Sequence, residues 1–186
     1  DEVARMSGVD LERARVVPVT DDAVVLHART VDGRTIEGQV AVDETSGIEE
    51  VWVAPNCTAA SVIALEAIAA ADLVVLGPGS LYSSVLAAVV VGDLRKALLD
   101  TSARLVLVGN LESEPVEREG CEVSDHLAVL GRHGVHPDLV LVHDDGLPLG
   151  RPAIDVVTAD LVGSGGIDHD PVALGGALRR IAERGA

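Results

Sequence analysis

Leu73-Val74-Val75-Leu76-Gly77-Pro78-Gly79-Ser80 decides how this chain of 186 residues is read. Four apolar residues without alternation have the length and character of a parallel strand buried on both faces. The glycine-proline-glycine turn that follows ends the strand abruptly. Leu105-Val106-Leu107-Val108 and Leu139-Val140-Leu141-Val142 repeat the pattern, and Ala153 to Val157 adds a fourth strand. Helix-forming segments lie between them. Ala59 to Ala70 places Val62, Leu65, Ile68 and Ala69 on one face; Leu81 to Val91 and Asp93 to Asp100 follow. A further helix takes Ser124 as its N-cap, and a last one opens at Pro171 and runs through Ile181. Strands and helices alternating in this way predict an α/β fold, a Rossmann-like parallel sheet with helices on both faces.

The segment before it reads differently. Arg15 to Thr20 is a β-branched strand whose Pro18 suits an edge. Val24 to Val31 and Thr35 to Val42 flank Asp32-Gly33, a dipeptide that accepts the positive φ of a type I′ hairpin turn. After a polar loop from Asp43 to Gly47, Ile48 to Val53 is another strand. This hairpin is expected as an antiparallel excursion at the edge of the parallel sheet.

Composition narrows the function. Hydrophobic residues make up 48% of the chain and aromatic ones 1%, with no Phe, so the core is aliphatic. Such a chain has no aromatic platform for stacking single-stranded nucleic acid. Fourteen basic against 30 acidic residues leave a net charge of −16, which repels a phosphate backbone and an anionic membrane surface. Neither nucleic acid nor a membrane is therefore expected as a partner, and no apolar stretch approaches the roughly 20 residues of a membrane span. Cys57 and Cys121 lack metal-site spacing and read as free thiols of a reducing cytosol. The chain opens on Asp1 rather than Met, and Asp1 to Ser7 reads as the end of a helix, so a single α/β domain cut from a longer one is expected.

In an open α/β sheet, ligands bind beyond the carboxyl ends of the strands. That rule selects three loops. Gly77-Pro78-Gly79-Ser80 brings backbone close to a ligand, and Ser80 offers a hydroxyl to an anion such as phosphate; a plain tight turn with a serine cap fits the same residues. Asn110, after the second buried strand, reads as a contact to a base or sugar, or as a strand-end cap. His143 and Asp144 make either a site or a turn with Asp145 and Gly146. Elsewhere, His133 and His136 lack an evident third metal ligand, so no metal site is assigned. Asp168-His169-Asp170 precedes the last helix, where capping accounts for the aspartates and leaves His169 over. The acidic run from Glu112 to Glu122 reads as a solvated loop. No nucleophile elbow occurs, and no catalytic residue is assigned.

The string Gly77-Pro78-Gly79-Ser80-Leu81-Tyr82-Ser83-Ser84, preceded by Ala71 to Leu76, resembles the YvcK-type gluconeogenesis factors, relatives of the CofD 2-phospho-L-lactate transferases. Arg15 to Thr20, Leu26-His27, Asp32-Gly33 through Gly38, and Thr101 to Arg104 are similar to the segments around that string. A family loop of the form N-x-M-T-Q-x-G-E-T-x-G-Y, running to S-D-H, is matched by Asn110, Ser113, Glu117, Gly120, Ser124, Asp125 and His126. Glu112, Glu114, Val116, Arg118 and Cys121 depart from it. His169-Asp170-Pro171 looks like the family's final helix start.

Leu81 to Ser84 favours the regulatory branch over the transferase branch. The resemblance then implies a cytoplasmic, UDP-sugar-binding protein, notably for UDP-N-acetylglucosamine, linked to cell-wall precursor supply, cell shape and growth on gluconeogenic carbon. It implies no reaction and no cofactor beyond the nucleotide-sugar ligand, and leaves a homo-oligomer open. Gly77, Pro78, Gly79, Ser80, Tyr82, Asn110 and His169 are the implied ligand-binding residues. The alternative is a CofD-like transferase of deazaflavin cofactor synthesis. Two departures stand out: the family's glycine-rich first strand-turn-helix would lie before Asp1, and Asp168 occupies a position where many members carry arginine.

Overall fold

Unbroken apolar runs and alternating ones sort into two separate sheets. The computed structural model describes residues 14–114, 116 and 121–184; the expected helix end at Asp1 to Ser7 lies outside them. Strands β4 (Leu73–Leu76), β5 (Arg104–Val108), β6 (Leu139–His143) and β7 (Asp155–Ala159) form a four-stranded sheet in that order, all parallel. Because side chains alternate along a strand, the central pair faces two cores. Leu105, Leu107, Val140 and Val142 join a core with Leu94 and Leu98 of α4 (Gly92–Asp100) and Val129 and Leu130 of α5 (Val123–Arg132). Val106, Val108, Leu139 and Leu141 meet Ala177 and Ile181 of α6 (Pro171–Arg184) on the other side. The α/β class with helices on both faces stands.

The antiparallel sheet is a unit of its own, in the order β2-β1-β3, rather than an excursion at the edge of the parallel one. Its strands are β1 (Val25–Thr30), β2 (Thr35–Glu37) and β3 (Ile48–Ala54). Leu26, Ala28, Val51 and Val53 point into the larger core, while His27 stacks on Trp52 on the outer face. His133 ties this sheet to α5. Its Nε2 accepts the Val51 N–H at 3.1 Å and its Nδ1 lies 2.8 Å from the Val129 carbonyl, an arrangement a neutral ring satisfies with its proton on Nδ1. That hydrogen-bonding role accounts for the burial of His133.

Several expectations are corrected. Arg15 to Thr20 joins no sheet; Val17 and Val19 pack on the core, and the Val19 carbonyl accepts the Ser61 N–H. The second hairpin strand stops at Glu37 because Gly38, at φ 97°, turns the chain into the short helix α1 (Gln39–Asp43). The Asp32-Gly33 turn is not type I′, since only Gly33 has a positive φ.

Helix α2 (Val62–Ala69) buries only Ala64, and Val62 lies exposed instead of on a core face. β4 is an edge strand with Val75 37% exposed, not a fully buried one. Helix α5 begins at Val123 with Glu122 as N-cap; the Glu122 N–H donates to Asp125, and Ser124 Oγ donates to the Glu122 carboxylate. Both cysteines are free thiols, Cys57 exposed and Cys121 buried. No helix among the described residues is long and apolar enough to cross a membrane.

Candidate functional site

Parallel strands deliver their carboxyl ends to one edge of the sheet, and the loops singled out in the sequence leave from that edge. After β4, the chain turns at Gly79, whose φ of 143° is unfavourable for a residue with a Cβ. Ser80 then starts a π-helical segment, Leu81–Leu86, that runs on into α3 (Ala87–Val89). The Ser80 carbonyl accepts both the Ser84 and the Val85 N–H at 3.0 Å, which widens the turn. The antiparallel layer holds this segment in place. Gln39 Nε2 donates to the Ser83 carbonyl at 2.9 Å, Ser83 Oγ donates to the Asp43 carboxylate, and the Tyr82 hydroxyl donates to the Ile48 carbonyl at 3.1 Å.

Asn110, just beyond β5, lies against the same turn. Its Oδ1 accepts the Gly79 N–H at 3.0 Å and its Nδ2 donates to the Gly79 carbonyl at 3.3 Å. The structure thus brings Gly79 and Asn110 together, but the asparagine amide braces the loop. One ligand-facing donor of the turn, the Gly79 N–H, is spent on it.

The loop before α6 closes the edge from the other side. The Gly163 N–H donates to the Asp168 carbonyl at 2.7 Å, and the Asp170 N–H to the Leu161 carbonyl at 2.8 Å. Asp170 Oδ1 accepts the N–H groups of Val172 and Ala173, both at 2.8 Å, which is the capping role expected of an aspartate there. His169 is held half-buried, and its Nε2 is buried with no hydrogen-bond partner among the described residues. Burial is the chief reason its pKa lies below the ordinary histidine value; nearby His143 acts in the same direction, while the Gly109 carbonyl and Asp168 oppose it. His143, at the end of β6, accepts the Leu161 N–H on Nδ1 at 3.1 Å and lies 3.7 Å from Asp160. His143 therefore positions this loop.

Two cavities adjoin here, sharing Glu114. The first, about 510 Å³, is walled by Pro78, Gly79, Asn110, Glu112, Asp168 and His169. The second, about 740 Å³, lies between the antiparallel layer (Val31 and Thr45–Ile48) and α5, with Ser80 and Tyr82, His126 and Arg132 among its walls. The implied ligand-binding residues are therefore divided. Pro78, Gly79, Asn110 and His169 line one cavity, Ser80 and Tyr82 the other, and Gly77 at the strand end lines neither.

Arg132 was invisible to sequence reasoning because a basic residue in the last turn of a helix is accounted for by the helix dipole alone. Glu112 and Glu114 read as solvated loop residues but wall the site. Glu117, Arg118 and Gly120 of that loop lie outside the described residues. No group of three or more metal-ligating side chains occurs among the described residues.

Comparison with known proteins agrees with this architecture. The family model described as 2-phospho-L-lactate transferase CofD matches residues 1–159. The chain is 38% identical to a gluconeogenesis-factor relative from Mycobacterium tuberculosis over 99% of its own length and 59% of that protein. It is 34% identical to the gluconeogenesis factor of Halalkalibacterium halodurans over 84% of its length and 48% of that protein. The crystal structure of a UPF0052 family member from Bacillus halodurans superposes with a TM-score of 0.82 at 26% identity, covering 96% of this chain and 65% of that one. The chain thus spans only about half the length of these curated relatives. With most of its length matched by the family model and its fold shared with a solved neighbour, the chain belongs to the CofD family.

Proposed function

We propose that this chain is the nucleotide-sugar-binding part of a cytoplasmic gluconeogenesis factor, with UDP-N-acetylglucosamine as the type of ligand, acting on cell-wall precursor supply and cell shape. The observation that carries this reading is the double cavity beside the carboxyl edge, one chamber lined by Pro78, Gly79, Asn110 and His169 and the other by Ser80 and Tyr82. Its two chambers fall within the roughly 300–1,000 Å³ of small-molecule sites, and a two-part ligand suits two chambers. Similarity to gluconeogenesis factors adds the regulatory context. Binding alone requires no general acid or base.

A ligand that binds only the native state stabilises it by RT ln(1 + [L]/Kd), about 2.7 kcal/mol at a hundredfold excess over Kd. UDP-N-acetylglucosamine should therefore raise the melting temperature when this chain is preceded by the family's glycine-rich first strand-turn-helix, and the 186 residues alone should bind far more weakly. Gly79→Val should remove most of that rise, because Gly79 holds a φ that β-branched residues avoid. No rise at millimolar ligand would refute the reading. The family model's own description favours a second one, a transferase of deazaflavin cofactor synthesis. Product formed from a guanylylated phospho-acid and a deazaflavin acceptor would select it.

A further inference from the structure

Resting on that binding reading, we infer that the cleft is polarised. The phosphates of the nucleotide sugar lie in the chamber walled by Ser80 and Arg132, and its uncharged sugar lies in the chamber of Glu112 and Asp168.

Charge and hydrogen-bond accounting carry this orientation. Besides Glu114, which both chambers share, the smaller chamber has the carboxylates Glu112 and Asp168 on its walls and, among the described residues, no Lys or Arg. Burial favours the neutral form of His169, so that ring does little to offset Glu112 and Asp168. The chamber's principal donors are already engaged: the Gly79 N–H bonds Asn110, and the Asn110 amide bonds the Gly79 carbonyl. A diphosphate there would meet like charges and spent donors, whereas sugar hydroxyls donate readily to carboxylates.

The larger chamber differs in one respect that matters to an anion. Among the described residues Arg132 is the single Lys or Arg on its walls, where it stands with the carboxylates Glu114 and Asp125. Arg132 makes no ion pair among the described residues, although the chain holds 30 carboxylates. Behind it lies a depression of about 340 Å³ that it shares with Arg95 and Arg29. Arg29 is occupied by Glu49 and Glu50, whereas Arg95, like Arg132, has no ion pair there. On a chain with a net charge of −16, two guanidinium groups on the walls of one depression, neither ion-paired among the described residues, favour an incoming anion. The guanidinium fork also matches phosphate geometry in a way a lysine does not.

The test takes the chain preceded by the family's glycine-rich first strand-turn-helix, titrates it with UDP-N-acetylglucosamine, UDP, inorganic pyrophosphate and N-acetylglucosamine, and follows binding by calorimetry. Arg132→Ala should weaken UDP-N-acetylglucosamine, UDP and pyrophosphate by about tenfold or more, with Arg132→Lys in between. Asp168→Asn should weaken the sugar nucleotide while leaving UDP and pyrophosphate unchanged. Both residues are exposed, and melting without ligand checks that the variants are folded.

Equal binding of UDP-N-acetylglucosamine by Arg132→Ala and the parent chain would overturn the orientation and leave the binding reading intact. An Asp168→Asn variant that alters pyrophosphate binding as strongly as Arg132→Ala would overturn it as well. Arginine-dependent pyrophosphate binding without any nucleotide-sugar binding would support the anion site and refute the binding reading. No binding of any probe would refute both.

Discussion

Leu73–Leu76 and Leu139–Val142 are interchangeable as sequence, four aliphatic residues each, yet the structure treats them differently. Leu139 to Val142 sit between two neighbouring strands with cores on both sides, and every one is buried. Leu73 to Leu76 pair on one side only, and Val75 is 37% exposed. An apolar run states that a strand belongs to a parallel sheet; its place in the order states how much water it loses. The site grows from both kinds of strand at once, because Gly79 follows the edge strand and Asn110 and His143 end the central ones.

The comparison is broken most directly at the centre. Leu141 is fully buried in the core against α6, so Leu141→Ala should cost about 2–5 kcal/mol in chemical denaturation, through lost transfer energy and the cavity left behind. A cost below about 1 kcal/mol would mean that the centre is no better packed than the edge.

The bridge between edge and centre is the next target. Asn110→Ala removes both bonds to Gly79 and should lower stability by about 1–2 kcal/mol. It should also abolish the ligand-induced rise in melting temperature, because the turn after β4 loses its brace. Loss of stability with an unchanged ligand response would show that the brace serves only the fold.

A smaller effect belongs to His169, near the ends of the central strands. Its folded-state pKa is depressed below the ordinary 6.5, so the unfolded chain takes up the proton first as pH falls. The contribution is therefore present above pH 6.5 and is lost as pH falls through the depressed value. Denaturation midpoints measured downward from pH 7.5 should fall, and His169→Gln should flatten that slope. An unchanged slope in the variant would assign the pH dependence to other groups.

The smallest effect is expected at the edge. Val75→Thr keeps shape and strand propensity at a position already open to water, and should change stability by no more than about 0.5 kcal/mol. A loss approaching that of Leu141→Ala would place Val75 in a buried interface in solution.

What the sequence determined by itself was local or periodic in origin. Unbroken apolar tetrads, a proline opening the last helix and a glycine-rich turn after β4 act through backbone geometry and burial over a few residues, and they were legible without the structure. The resemblance carried by Gly77 to Ser84 identified the family on the same short range. Tertiary structure alone decided the rest. Strand order placed β4 at an edge, and the Gly38 turn cut β2 short and sent the chain into α1, which clamps the π-helical segment from another layer. Only the packing of α5 against that layer brought Arg132 to the cavity wall that Ser80 and Tyr82 share. The physical reason is separation along the chain: such contacts depend on where distant segments come to rest, and no pattern within one segment encodes that.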